Sequence, residues 1–145
     1  MAFDSQLAFD NSNTVTITLA SLADDTIATS DAIDNSTDKF IYADIQVKIR
    51  TGTGVSDDGI IKVKMVRSVD GGTVYDDSNA NLEILFAFTA NVDSTDYVVS
   101  SDTGRIGLLP SHWKIAILND TGAALDSTAS NHSVTFAGKH FEIEA

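Results

Sequence analysis

The chain has 145 residues, 43% of them hydrophobic, and a net charge of −12; that length suits one domain able to bury a substantial core. No apolar run approaches the ~20 residues of a membrane span, and the nine Lys and Arg residues are scattered along the chain, unlike the basic footprint of a nucleic-acid binder. The absence of cysteine removes disulfide stapling, thiolate catalysis and Cys-ligated zinc together.

The chain opens with MAFDSQLAFDNSN, which holds acids but no Lys or Arg and no continuous apolar stretch, so a secretory leader is not expected. Phe3, Leu7 and Phe9 project from this otherwise polar lead-in. Residues 1–13 are set apart as an N-terminal arm, with those three side chains as candidate assembly contacts on a neighbouring subunit. A frayed end or an extra edge strand is the plainer alternative. Residues 14–145 read as a single domain with no linker.

Period-two alternation dominates that domain, the pattern of strands buried on one face. It runs through Thr14–Leu19, Ile45–Arg50 and Ile61–Arg67. Asp24–Ala32 has the composition of a short helical turn but poor apolar spacing. The turn-rich Thr51–Gly59 between the second and third runs suits a hairpin with a long loop. Such a hairpin would gather Lys48, Arg50, Lys62, Lys64 and Arg67 into one basic strip, most simply an exposed sheet face on which Lys discourages edge pairing. Asp70-Gly71-Gly72 supplies a turn with positive φ. The nearly all-apolar Leu82–Thr89 predicts a central strand, and Tyr97–Val99 a short one. Pro110 leads into a strand over His112–Asn119. In the last strand, Val134–Ile143, Gly138 marks a bulge or a crossing point. About eight strands without βα alternation predict an all-β, antiparallel sandwich or barrel, with a jelly roll the leading topology and an immunoglobulin-like sandwich second.

Chemistry-bearing constellations are sparse. Ser, His and Asp co-occur, but no GxSxG elbow places a nucleophile. The three histidines, His112, His132 and His140, are dispersed and do not form a recognisable zinc motif. Asp77-Ser78-Asn79-Ala80-Asn81-Leu82 opens like a calcium loop, yet Leu82 stands where the turn glycine belongs and Phe88 where the bidentate Glu belongs. Only Glu83, Glu142 and Glu144 represent glutamate, and no phosphate-cradling loop occurs. These observations predict no enzyme activity, catalytic residue, cofactor or metal site.

Two stretches carry a family likeness: Leu19–Ala23 with Ser30–Thr37, and Leu109-Pro110 with Trp113, Asn119–Asp126 and Phe136–Gly138. They resemble small virion-associated proteins of tailed bacteriophages, and among these the capsid decoration (cement) proteins. The resemblance implies a β-sandwich or barrel, commonly trimeric, made in the host cytoplasm and seated on the outside of the phage head. Its partners would be the major capsid protein and further copies of itself, with neither nucleic acid nor membrane involved. Two alternatives remain at this point: a tail or neck component, and a carbohydrate-binding fibre module using Trp113, Tyr42 or Tyr75.

Overall fold

A computed structural model describes residues 5–76 and 82–143. The chain forms two antiparallel sheets packed face to face. The first holds β1 (Ser5–Phe9), β2 (Asn13–Val15), β5 (Tyr42–Arg50), β8 (Asp96–Asp102) and β10 (Ser133–Ile143). The second holds β3 (Thr26–Thr29), β4 (Ile33–Asp34), β6 (Ile60–Ser68), β7 (Ile84–Thr89) and β9 (His112–Asp120). Two short 3₁₀ turns, Thr103–Ile106 and Ala129–Asn131, complete the described elements. No helix among the described residues is long and apolar enough to cross a membrane.

β1 and β2 lie one after the other along the same edge of β10, and β3 and β4 do the same along β9. The interruptions are small. The Asp10 N–H still reaches the Gly138 carbonyl at 2.9 Å, and the Ser30 hydroxyl accepts the Ile115 N–H at 3.0 Å between β3 and β4. Each pair therefore acts as one broken strand, which reduces ten strands to eight. In that count the first pairs with the last, the second with the seventh, the third with the sixth and the fourth with the fifth. This is a hairpin rolled into two sheets, the jelly roll expected from the strand pattern.

Alternation explains the core. β5 turns Ala43, Ile45, Val47 and Ile49 inward, β6 turns Ile61, Val63 and Met65, and β9 turns Trp113, Ile115 and Ile117. Val134 and Phe136 of β10 meet them, and the Trp113 and Phe136 rings contact edge to face at 5.3 Å. Between the edge strands β7 and β8, the Phe88 and Tyr97 rings, 6.3 Å apart, close one side of the sandwich.

Several local expectations are corrected. β5 and β6 are not a hairpin: they belong to opposite sheets, and Thr51–Gly59 crosses between them. Alternation fixes the face of a strand but not its partner, and a loop this long spans the ~10 Å between packed sheets. The basic strip is consequently dispersed. Lys48 and Arg50 lie in the first sheet and Lys62 and Lys64 in the second, while Arg67 pairs with Trp113 and donates to the Ile106 carbonyl. Asp24–Ala32 contains strand β3 instead of a helical turn. The first alternating run stops pairing at Val15, although Leu19 is still buried. β7 is an edge strand instead: Leu85 and Phe86 reach the core, while Phe88 lies against Tyr97 of β8. Asp70–Gly72 does take positive φ at both glycines, but it begins a long excursion, since β7 starts only at Ile84. Residues 69–76 of that excursion fold back on the outer side of the second sheet, where Lys114 sits 4.1 Å from the Tyr75 ring.

Gly138 is a crossing point and not a bulge. Its pairing with Ala43 is in regular register, and the Phe40 ring lies so close that a Cβ would come within 2.3 Å of it. Replacing Gly138 by Ala is expected to overpack this contact and destabilise the fold by roughly 1–3 kcal/mol, measurable as a lower denaturant midpoint with an unchanged slope. The control Gly54→Ala meets no neighbouring atom within 4 Å, so it should lose only what its positive φ costs.

Candidate functional site

Of the three candidate assembly contacts, Phe3 lies outside the described residues, while Leu7 and Phe9 fall in β1. The described part of residues 1–13 contributes two strand pieces to the first sheet, β1 and the start of β2. Register places Leu7 opposite Phe141 and Phe9 opposite Lys139. Because Val134 and Phe136 face the core, period two turns Lys139 and Phe141 outward, and their partners with them. Leu7, Phe9 and Phe141 are 45%, 66% and 62% exposed. They form one apolar patch on the outer face of the first sheet.

This patch stands on a projection. β5 ends its pairing with β10 at Tyr42, opposite Lys139. Beyond that point residues 140–143 pair only with residues 5–8 of β1 among the described residues. The result is a two-stranded ribbon extending past the body of the sandwich, with His140 tilted against Phe40 at 5.8 Å on its inner side. Phe141 was not singled out from sequence. Carrying the parity of Val134 and Phe136 through to the end of the strand identifies it as outward.

Lys139 anchors the base of the ribbon. Its ammonium lies 2.7 Å from Asp44 and 3.7 Å from Asp102, and 6.0 Å from the Phe9 ring centroid. The hydrogen bond to Asp44 is the main reason its pKa is raised above the ordinary 10.5, partly offset by burial.

Beside the ribbon base is an open groove of about 400 Å³ lined by Phe40, Ile41, Leu108, Leu109 and the rim residues Ser36 and Lys39. Asn35 shapes it. Its side-chain amide donates to the Phe40 carbonyl at 2.9 Å and the Pro110 carbonyl at 3.2 Å, and its oxygen accepts the Phe40 N–H at 2.8 Å. The loop after β4 is thereby tied to the loop before β9.

The remaining polar clusters have structural partners. His112 approaches Asp34 at 3.5 Å and Ser111 at 3.2 Å, but Asp34 and His112 are themselves register partners of β4 and β9. The Asp34 carboxyl is held low chiefly by hydrogen bonds from Ser36. The carboxylates of Asp24, Asp25 and Asp120 converge within 4.8 Å. There Lys62 already bonds Asp120 at 2.9 Å and Asp24 accepts the Gly122 N–H at 2.7 Å. The calcium-like stretch Asp77–Asn81 lies outside the described residues. For sugar stacking, Trp113 is unsuited because it is fully buried, and Tyr75 has Lys114 over its ring.

No family model and no curated protein matches this chain. Among solved structures, the chain is similar to a chain in the structure of infectious bursal disease virus, Gt strain, at 12% identity and a TM-score of 0.31. The match covers 96% of this chain, which spans 40% of the other. A likeness of that degree assigns neither fold nor role, and the jelly roll rests on the strand pairing alone.

The charged groups give a pH profile with a definite sign. Asp34, Asp70 and Asp126 have pKa values lowered from the ordinary 3.8, Asp70 and Asp126 mainly by backbone N–H groups of Val74 and Thr128. Their contribution is complete above 3.8 and disappears as pH falls through the lower folded values. That of Lys139 is complete below 10.5 and disappears as pH rises through its raised value. Melting temperature should therefore fall at both extremes. Asp126→Asn should flatten the acid limb, and Lys139→Met the alkaline one, in thermal scans across pH.

Proposed function

We propose that this protein is a structural component of a tailed-phage virion, a decoration (cement) protein bound to the outside of the head. The sequence motifs that resemble such proteins supply the assignment to that group. The structural observation that carries the reading is the projecting ribbon, on whose outer face the exposed side chains of Leu7, Phe9 and Phe141 lie together. An apolar patch raised on a projecting strand pair is suited to docking against protein. A jelly roll hosts many functions, so the fold by itself does not choose among them.

In this reading the protein performs no reaction and holds no cofactor. It self-associates, as a trimer, and binds the major capsid protein. Each copy buries apolar area across a junction between capsomers and raises the barrier to rupture of the shell. Modest free energy per contact becomes large when several contacts on one oligomer engage together. The acidic loops stay outward, well solvated, and keep particles from sticking to one another.

A tail or neck component is the competing placement, and burial of Trp113 weighs against the sugar-reading module. Quantifying the protein in purified virions and labelling it in electron micrographs separates the first two. A decoration protein should be present in numbers comparable to the capsomers and should label the head; a copy number matching a single ring, with label at the neck or tail, would overturn the proposal. The triple variant Leu7→Ser, Phe9→Ser, Phe141→Ser should remain folded and lose attachment to undecorated heads.

A further inference from the structure

The ribbon and the groove next to it are complementary features of one molecule. The ribbon presents Leu7 and Phe141 as a directly opposed apolar pair, both substantially exposed. The groove presents Leu108, 63% exposed, beside Ile41 and Leu109, over a floor formed by buried Phe40. We infer that the ribbon of one copy docks into the groove of a second copy of this chain.

Electrostatics favours that occupant. In a chain of net charge −12, like-charge repulsion opposes self-contact over most of the surface, so copies can meet closely only where carboxylates are scarce. β1 contains no charged residue, and no acidic side chain lines the groove. The ribbon's one carboxylate among the described residues, Glu142, lies by period two on the face away from Leu7 and Phe141, with His140 at 3.2 Å. The docking face thus carries no described carboxylate, and the groove rim carries exposed Lys39. Beyond Lys139 at its base, the described ribbon also lacks the Lys or Pro with which exposed edges ordinarily block pairing. It has a further reason to be covered: two strands alone are marginally stable in water, and beyond Lys139 the ribbon has no third strand among the described residues. Knob and hole are different patches, so each copy can give and receive at once, the arrangement from which closed rings are built.

This inference rests on the self-association in the proposed function and names its surface. The test exploits the absence of native cysteine. Phe141→Cys and Leu108→Cys are made separately, both at exposed positions, and each is checked for a wild-type circular dichroism spectrum and melting transition. Mixed under mild oxidation, they should give a disulfide-linked pair containing one chain of each variant, far in excess of either variant oxidised alone. Failure of the mixed pair to form, or equal cross-linking of Phe141→Cys with itself, overturns the ribbon-in-groove contact. Sedimentation of the wild-type protein separates the two levels. A monomer at all concentrations sinks self-association altogether, whereas an oligomer without the mixed cross-link sinks only this surface.

Discussion

β9 is held at both ends by a buried side-chain amide, and the rest of the sandwich is arranged around that strand. At its C-terminal end Asn119, fully buried, donates to the carbonyls of Leu22 and Ala123 at 2.9 and 2.8 Å, while Thr121 bonds its oxygen at 2.7 Å. Just before its N-terminal end, Asn35 binds the Pro110 carbonyl and both backbone groups of Phe40. Buried backbone groups without partners are costly, so each amide is difficult to replace by an apolar side chain of any shape. Between these clamps Trp113, Ile115 and Ile117 cross the centre of the core, and β6 is aligned along the other edge.

The clamps also explain why two distant parts of the sequence are the most distinctive. Leu19–Asp24 meets Asn119–Asp126 through Ser21 to Asp126, Leu125 to Leu22 and Gly122 to Asp24. Asn35 meets Pro110 and Ser111. The two stretches form one seam, its small and polar residues chosen by the turns and backbone acceptors they satisfy. Much of the aspartate belongs to the same economy: Asp70, Asp93 and Asp126 accept backbone N–H groups of nearby loops. The acidity of the chain is in part a by-product of how its loops are closed.

Strand identity and facing were legible because period two is a direct consequence of the pleat. Ile45, Val47 and Ile49 could be placed on one face without knowing what lay opposite. Pairing was not legible, because any alternating strand can lie beside any other; the supposed β5–β6 hairpin shows this, as does the edge position of β7. The short strands β3 and β4 were hidden because neighbouring Ile27 and Ala28 are both half-buried, which breaks alternation, and β4 has only two residues. Leu7 and Phe9 were legible as apolar side chains in polar surroundings. The ribbon was not, since its projection depends on where β5 stops relative to β10, and no local pattern encodes that difference in length.

Pairing of first with last has a consequence for how the protein is made. β1 and β2 have no partner until β10, at the far end of the chain, has left the ribosome, and β3 and β4 wait almost as long for β9. Early pairing is confined to β6 with β7, the innermost hairpin, so the fold closes outward from the middle and finishes at the termini. Such non-local topologies fold slowly, and the last strands to be zipped are those that carry the apolar ribbon. Synthesis thereby orders exposure in time: the apolar outer face of the ribbon comes into existence only when the molecule is otherwise complete, so half-made chains do not present it.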